Sequence, residues 1–538
     1  TNTTGHSNTA IGSTALDAAT TASFNTAVGH GSLGATTTGH SNTAVGRSAL
    51  ITNTTGDANV AVGMDALLSN TTADNNTAVG FEAMLANTTG SANAAFGTLS
   101  LDANTTGEAN TALGKSALSA NTTASNNTAV GADALLANTT GAENVGIGTF
   151  CLAANTTGSQ NVAIGFRALD ANTTAANNTA VGFASLGANT TGTRNTALGT
   201  LTLDAQTTAN DNTAIGSTAL SSNTSGAQNT SVGSTSLTTN TTGDENVAVG
   251  TEALEANTTG NSNTAIGMRA LEANTTAASN TAVGIFAMGV NTTGTFNVAV
   301  GGNSLDANTT GDTNVAVGRL SLSANTTASN NTALGYHSMA VNTTGTQNVA
   351  VGNVALDANT TANDNTAIGS GCLTTNTTGA GNTAVGRLAM DANTTGANSV
   401  AVGRQALSSN TTGGFNTAVG KNAGGANTTG SGNVSLGFQC GDNTTTGDSN
   451  ISIGQDAQPS AVDTSHSIQI GVGFGVGGNS FGFGKASNVV SNTFTSNASF
   501  SRSSDVNKKT NIEDDSLGLS FINNLRTVKF NWRPNSEF

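Results

Sequence analysis

Asn42-Thr43-Ala44-Val45-Gly46-Arg47-Ser48-Ala49-Leu50-Ile51-Thr52-Asn53-Thr54-Thr55-Gly56-Asp57-Ala58 is one copy of a seventeen-residue unit, and Asn59-Val60-Ala61-Val62-Gly63 opens the next copy at once. Aligned on the glycine that ends Asn-Thr-Ala-Val-Gly, the unit recurs from Gly12 to Gly471, 28 copies without one inserted or deleted residue. Closing a longer surface loop costs little free energy, so a globular enzyme accumulates insertions. Stacked rungs do not, because one extra residue breaks the register with both neighbours. The spacing predicts an all-β fold, a repetitive parallel β-roll or β-solenoid with one rung per copy.

We call the motif glycine slot 0 and count forward. Slot 16, just before the next glycine, is Val, Ile or Leu in the first 27 copies except at Phe96; slot 15 is small; slot 14 is mostly Thr or Val. Slot 13 is Asn in 26 of those 27 copies, Ser399 being the exception, and slot 4 is Leu or Met from Leu16 to Leu407. Alternation along Asn-Thr-Ala-Val-Gly reads as a short strand, with slots 14 and 16 on one face and the small Ala on the other. Asn-Thr-Thr-Gly reads as a turn. About two large aliphatic residues per rung make a thin core. The uniform Ala on the opposite strand face is expected to be a second packing surface, against other copies of the chain. The last turn residue (slot 10) is usually Gly but is Ala at positions such as 73, 124 and 175. Ala disfavours positive φ, so the left-handed residue is expected to shift to the following Asn there.

Charged residues are 9% and aromatics 4% of the 538 residues, and the net charge is −15. An acidic chain without basic clusters weighs against nucleic acid as a partner. No apolar run reaches the roughly 18 residues that suggest a membrane span, so no membrane insertion is expected. Charges recur at slots 1 and 2 (Arg47, Asp65, Glu82, Lys115), at slot 5 (Asp102, Asp170, Glu255, Asp391) and just past the turn (Asp57, Glu108), which marks those slots as water-facing.

Cys151, Cys372 and Cys440 all occupy slot 3, otherwise Ala, Ser or Thr. The nearest pair is four rungs apart, roughly 19 Å, beyond disulfide reach; small buried thiols are expected. The histidines (His6, His30, His40, His337, His466) share no metal-ligand spacing, and the aspartates do not fall at calcium-loop spacing. Neither a metal nor a cofactor is expected. The Asn-x-Thr sequons are read as turn chemistry rather than glycosylation sites.

Asn398-Ser399-Val400-Ala401-Val402-Gly403 and Ser467-Ile468-Gln469-Ile470-Gly471 resemble the head repeats of trimeric autotransporter adhesins, although those repeats are usually shorter than seventeen residues. The resemblance, over residues 1–471, implies a left-handed parallel β-roll with three chains about one axis. The same repeat style resembles phage fibre shafts. Beyond Gly471 the frame breaks into Val472-Gly473-Phe474-Gly475 and Phe481-Gly482-Phe483-Gly484, a Gly/Phe-rich neck over 472–504. Ser504-Asp505-Val506-Asn507-Lys508-Lys509-Thr510-Asn511-Ile512 is then similar to the opening of the endosialidase-type intramolecular chaperone at the ends of phage tail fibres and spikes. That resemblance implies a small α+β start of a chaperone over 505–538. It also implies scission between Ser504 and Asp505, with Ser504 as nucleophile and Lys509 as its partner. Asn507 stands where the family has Arg. The chain opens in mid-repeat at Asn2-Thr3-Thr4-Gly5, and the 34 residues after Ser504 are fewer than that chaperone has; a longer natural protein is expected.

Taken together, these features lead us to expect a homotrimeric phage tail fibre, in the virion or at a cell surface. Its partner would be a host receptor, a glycan or outer-membrane component, and a single-turnover self-cleavage would be its only chemistry. The alternatives are a bacterial surface adhesin of the trimeric autotransporter type, whose coiled-coil stalk and membrane barrel have no counterpart here, and an ice-binding solenoid built on the regular Thr rows. A polysaccharide-degrading spike would need an inserted domain, and none interrupts residues 8–471.

Overall fold

The structure, a computed structural model, describes residues 2–494 and 501–502. Among these there is no helix. The chain winds as a parallel β-solenoid in which each seventeen-residue copy makes one turn. Three-residue strands run from β1 (Thr9–Ile11) and β2 (Thr26–Val28) to β27 (Ile451–Ile453), each paired in parallel with the next. The register is a whole repeat throughout: Thr9 faces Thr26, Ala10 faces Ala27 and Ile11 faces Val28. Rung-to-rung bonds continue around the bends. Thr43 N–H donates to Asn59 O at 2.8 Å, Leu50 N–H to Ala66 O at 3.0 Å, and Thr54 N–H to Thr71 O at 2.8 Å. Nearly every slot therefore has its partner one rung away, which is why a one-residue slip has no low-energy accommodation.

The interior differs from the expected one. The strand Ala is fully buried in its own chain, as at Ala44, Ala61 and Ala248, while slots 14 and 16 face outward and are partly exposed. Ala is therefore not the contact with other copies. The rung is so narrow that beneath the strand, where slot 4 is Leu or Met, only a small group fits: a β-carbon built on Gly146, in the Ala slot, would lie 3.3 Å from Leu135 Cδ1 and 3.0 Å from Cys151 Sγ. The core is completed from the other wall by slot 3 and by the Leu or Met of slot 4, with Ala49, Leu50, Ala66, Leu67 and Met84 all fully buried. These Leu and Met residues point inward because they are left-handed, with φ of 53° at Leu50 and Leu67 and 52° at Met84. That conformation costs roughly 1–2 kcal/mol per residue, and it persists because the inter-rung hydrogen bond and the core contact are both made only there.

Slots 2 and 12 are also left-handed, as at Ser48 (φ 58°), Ala58 (φ 56°) and Asn75 (φ 60°). The expected shift in the Ala turns is thus not a shift: slot 12 is left-handed after Gly56 as it is after Ala73, and slot 10 is not. The motif glycine has a stricter requirement. Gly46 has φ 139°, and a β-carbon on it would stand 2.3 Å from Gly63 O. Any side chain there would collide with the backbone of the next rung.

Two asparagine columns line the rest of the interior. In one, Asn70 Nδ2 donates to Asn53 Oδ1 at 2.9 Å and Asn53 Nδ2 to Gly56 O at 3.0 Å. In the other, Asn59 N–H donates to Asn42 Oδ1 and Asn42 Nδ2 to Gly56 O, each at 2.9 Å. The slot 10 carbonyl thus ties both columns together, and the amides that a low-dielectric interior would penalise are paired, with Asn127 Nδ2, Asn189 Oδ1 and Asn427 Oδ1 as exceptions.

The pattern changes near the C-terminal end. Slot 4 becomes Gly424 and Gly441, and slot 15 becomes Ser435, Ser452 and Gln469, so the aliphatic column gives way to polar and small groups. Strands lengthen at β28 (Ile468–Val472), and β29 (Ser480–Lys485) pairs with β28 in parallel at a shorter spacing, Ile468 facing Phe481. β30 (Asn488–Thr493) and β31 (Ser501–Arg502) then pair antiparallel, which ends the solenoid at this side with a hairpin.

Candidate functional site

The outward surface divides into columns, because each slot repeats at one height per rung. Slots 14 and 16 form a flat strand face made of Thr or Val beside Val, Ile or Leu. Ile11, Leu113, Leu198 and Leu334 are 45–60% exposed on it. This face is the feature that sequence reasoning misplaced; the signal that could have found it is the absence of charge in either slot from β1 to β28.

The turn gives a second column. Slots 8 and 9 are Thr-Thr in almost every rung, with slot 9 exposed. The slot 8 hydroxyl is structural, as in Thr54 Oγ1 donating to Thr71 O at 3.0 Å. The sequon asparagines of slot 7, such as Asn53, Asn70 and Asn240, are fully buried with their amides engaged. They are closed to a glycosylating enzyme in the folded chain, in line with their reading as turn chemistry.

A third column is acidic. Asp170, Asp204, Asp306, Asp357, Asp391 and Asp442 share slot 5, and burial pushes each carboxyl above its ordinary value. At Asp306, Asp357 and Asp391 one carboxylate oxygen is buried without a hydrogen-bond partner. Glu252, Glu255 and Glu272 bring three carboxylates within 4.8 Å of one another. Arg269 offsets part of their charge, bonded to Glu252 and 3.9 Å from Glu272. Exposed Phe150, Phe166 and Phe183 form a short aromatic ladder, with Phe166 and Phe183 stacked at 5.8 Å and Arg167 over Phe166 at 5.6 Å. The three cysteines are free and buried. Burial pushes Cys151 and Cys372 up to about 12 and Cys440 up to about 11, so none is a nucleophile at neutral pH.

Ser504, Asp505 and Lys509 lie outside the described residues. No protein-family model matches the chain, and no curated protein is detectably similar to it.

Proposed function

We propose that the chain is the shaft of an attachment fibre, most simply a phage tail fibre. It would be a homotrimer that sets a receptor-binding end at a fixed distance from its anchor, assembled by a self-cleaving C-terminal chaperone that cuts after Ser504. The observation that carries this is the unbroken register of the rungs from β1 to β28. A stack of that kind spans roughly 130 Å at about 4.8 Å per rung, and its inward-facing groups are committed to holding the stack together. Reach and repetition are its usable properties, and repetition allows many weak contacts to act together on a surface. The host receptor would be a cell-surface glycan or outer-membrane component.

The test is adhesion. Fluorescently labelled full chain is incubated with a panel of bacterial strains, with and without periodate or protease treatment of the cells. Saturable binding to a subset of strains, lost on one of the treatments, is expected. Rods of the expected length that bind none of the strains would refute attachment.

A further inference from the structure

The strand face presents two outward positions in each of 28 strands, from Thr9 and Ile11 to Ile468 and Ile470, and these positions hold only Thr, Val, Ile, Leu, Phe and Ala. None of the chain's 16 basic and 31 acidic residues falls there, although exposed slots on the same rungs carry Arg47, Asp57, Asp65 and Glu82. The exposed turn column of slot 9 is also uncharged from Thr21 to Thr446, but it holds Thr and Ser there. On the strand face the lack of charge is combined with retained apolar side chains, which characterises the core of a protein interface. The face is also large: roughly 130 Å long by about 10 Å wide, some 1,300 Å² per chain, against about 800 Å² per partner in a stable complex.

The occupant follows from the period. A partner that covers the whole face must present complementary groups at the same rise for 28 consecutive rungs, and another copy of this chain does so by construction. A lipid surface is disfavoured, because a chain of net charge −15 is repelled by anionic headgroups. Rotation about an axis along the rod makes every rung contact its own equivalent, so the Thr, Val and Ile of equivalent strands meet at one height.

We propose that the strand face is where copies of the chain pack side by side, parallel and in register. The proposal rests on the multichain fibre described above and assigns its contact to slots 14 and 16. These side chains point away from the chain's own core, so a charge there disturbs association and spares the solenoid.

The experiment is sedimentation of the full chain. It compares Ile215→Glu/Val232→Glu/Val249→Glu on the strand face with Ser225→Glu/Thr242→Glu/Thr259→Glu on the turn column of neighbouring rungs. The unsubstituted chain and the turn variant are expected to form the same oligomer. The face variant should associate at least 100-fold more weakly, with unchanged circular dichroism. Independently, Val249→Cys should oxidise to a dimer linked 249 to 249, and Thr242→Cys should not; the native thiols are buried and stay out of the reaction. A monomeric unsubstituted chain, or a face variant that associates normally, overturns the proposal. If the monomer is still a rod that adheres to cells, the attachment shaft stands, and the homotrimer falls together with its interface. Thermal hysteresis from such a monomer would assign the face to ice instead.

Discussion

Gln206 occupies a slot 7 position where most of the column has Asn, and its neighbours register the difference. Its Nε2 donates to Ala209 O at 2.9 Å and its Oε1 accepts from Asn223 Nδ2 at 3.3 Å. The longer side chain does not reach back to the preceding rung, and Asn189 Oδ1 is buried without a donor. The same defect recurs where Thr444 takes slot 7, leaving Asn427 Oδ1 orphaned. A regular rung has no such gap: Asn240 Nδ2 donates both to Asn223 Oδ1 at 2.9 Å and to Gly243 O at 3.0 Å. Gln206→Asn should therefore close the column. It gives Asn189 a donor and shortens the contact to Asn223, at the loss of the Asn212 Nδ2 bond to Gln206 Oε1. An orphaned buried acceptor costs about 1–3 kcal/mol and one net hydrogen bond contributes about 1, so the gain is about 1–2 kcal/mol. Long repeat arrays do not unfold as one cooperative unit, so the readout must be local. Native-state hydrogen exchange over residues 186–226 should slow roughly tenfold, while exchange in rungs beyond residue 300 stays the same. Unchanged or faster exchange around Asn189 would mean that the asparagine columns do not hold the rungs together.

Packing and ionisation give further expectations. Ala248→Leu, under the strand, should destabilise its rung by about 1–3 kcal/mol through overpacking, whereas Val249→Leu on the outer face should be close to neutral; local hydrogen exchange separates the two. Leu254→Ala, which empties a buried left-handed position, should cost about 2–5 kcal/mol, read as faster exchange in its own and adjacent rungs. The slot 5 aspartates have folded-state pKa values raised by burial. Their contribution to stability is full below the unfolded value near pH 4 and is lost as pH rises through the folded value. The melting-temperature contribution of these groups should thus be larger near pH 4 than at pH 7, and Asp306→Asn/Asp391→Asn should raise the melting temperature at pH 7 and shrink the pH effect. A thiol reagent should leave Cys151, Cys372 and Cys440 unlabelled in native protein and label all three after denaturation.

Much of the architecture was legible because glycine spacing is a backbone constraint. A β-carbon on Gly46 would strike the next rung, so the recurrence of glycine every seventeen residues fixed both the unit and its stacking. Which strand face looks inward was not legible from alternation, since a three-residue strand shows two faces without saying which is covered. Hydrophobicity suggested Val and Ile; the narrow section of the rung instead admits Ala44 and sends Val45 outward. The left-handed Leu50 also escaped notice, because Leu carries no preference for that conformation and tertiary contacts impose it. The strand face could have been found from its lack of charge alone, a pattern that becomes meaningful once slots 14 and 16 are known to face out. Ser504 and Lys509 rest on a motif and not on geometry, and the mass of the natural gene product, ending at Ser504 if the bond is cut, decides them.

The central claim is that each seventeen-residue copy is one rung set directly on the last. Diffraction from aligned rods, or helical averaging of cryo-EM images, measures the axial rise per copy. A sharp repeat of about 4.8 Å along the rod is the result the structure requires. A rise that departs from a single strand spacing, or particles too compact to have an axis, would contradict it.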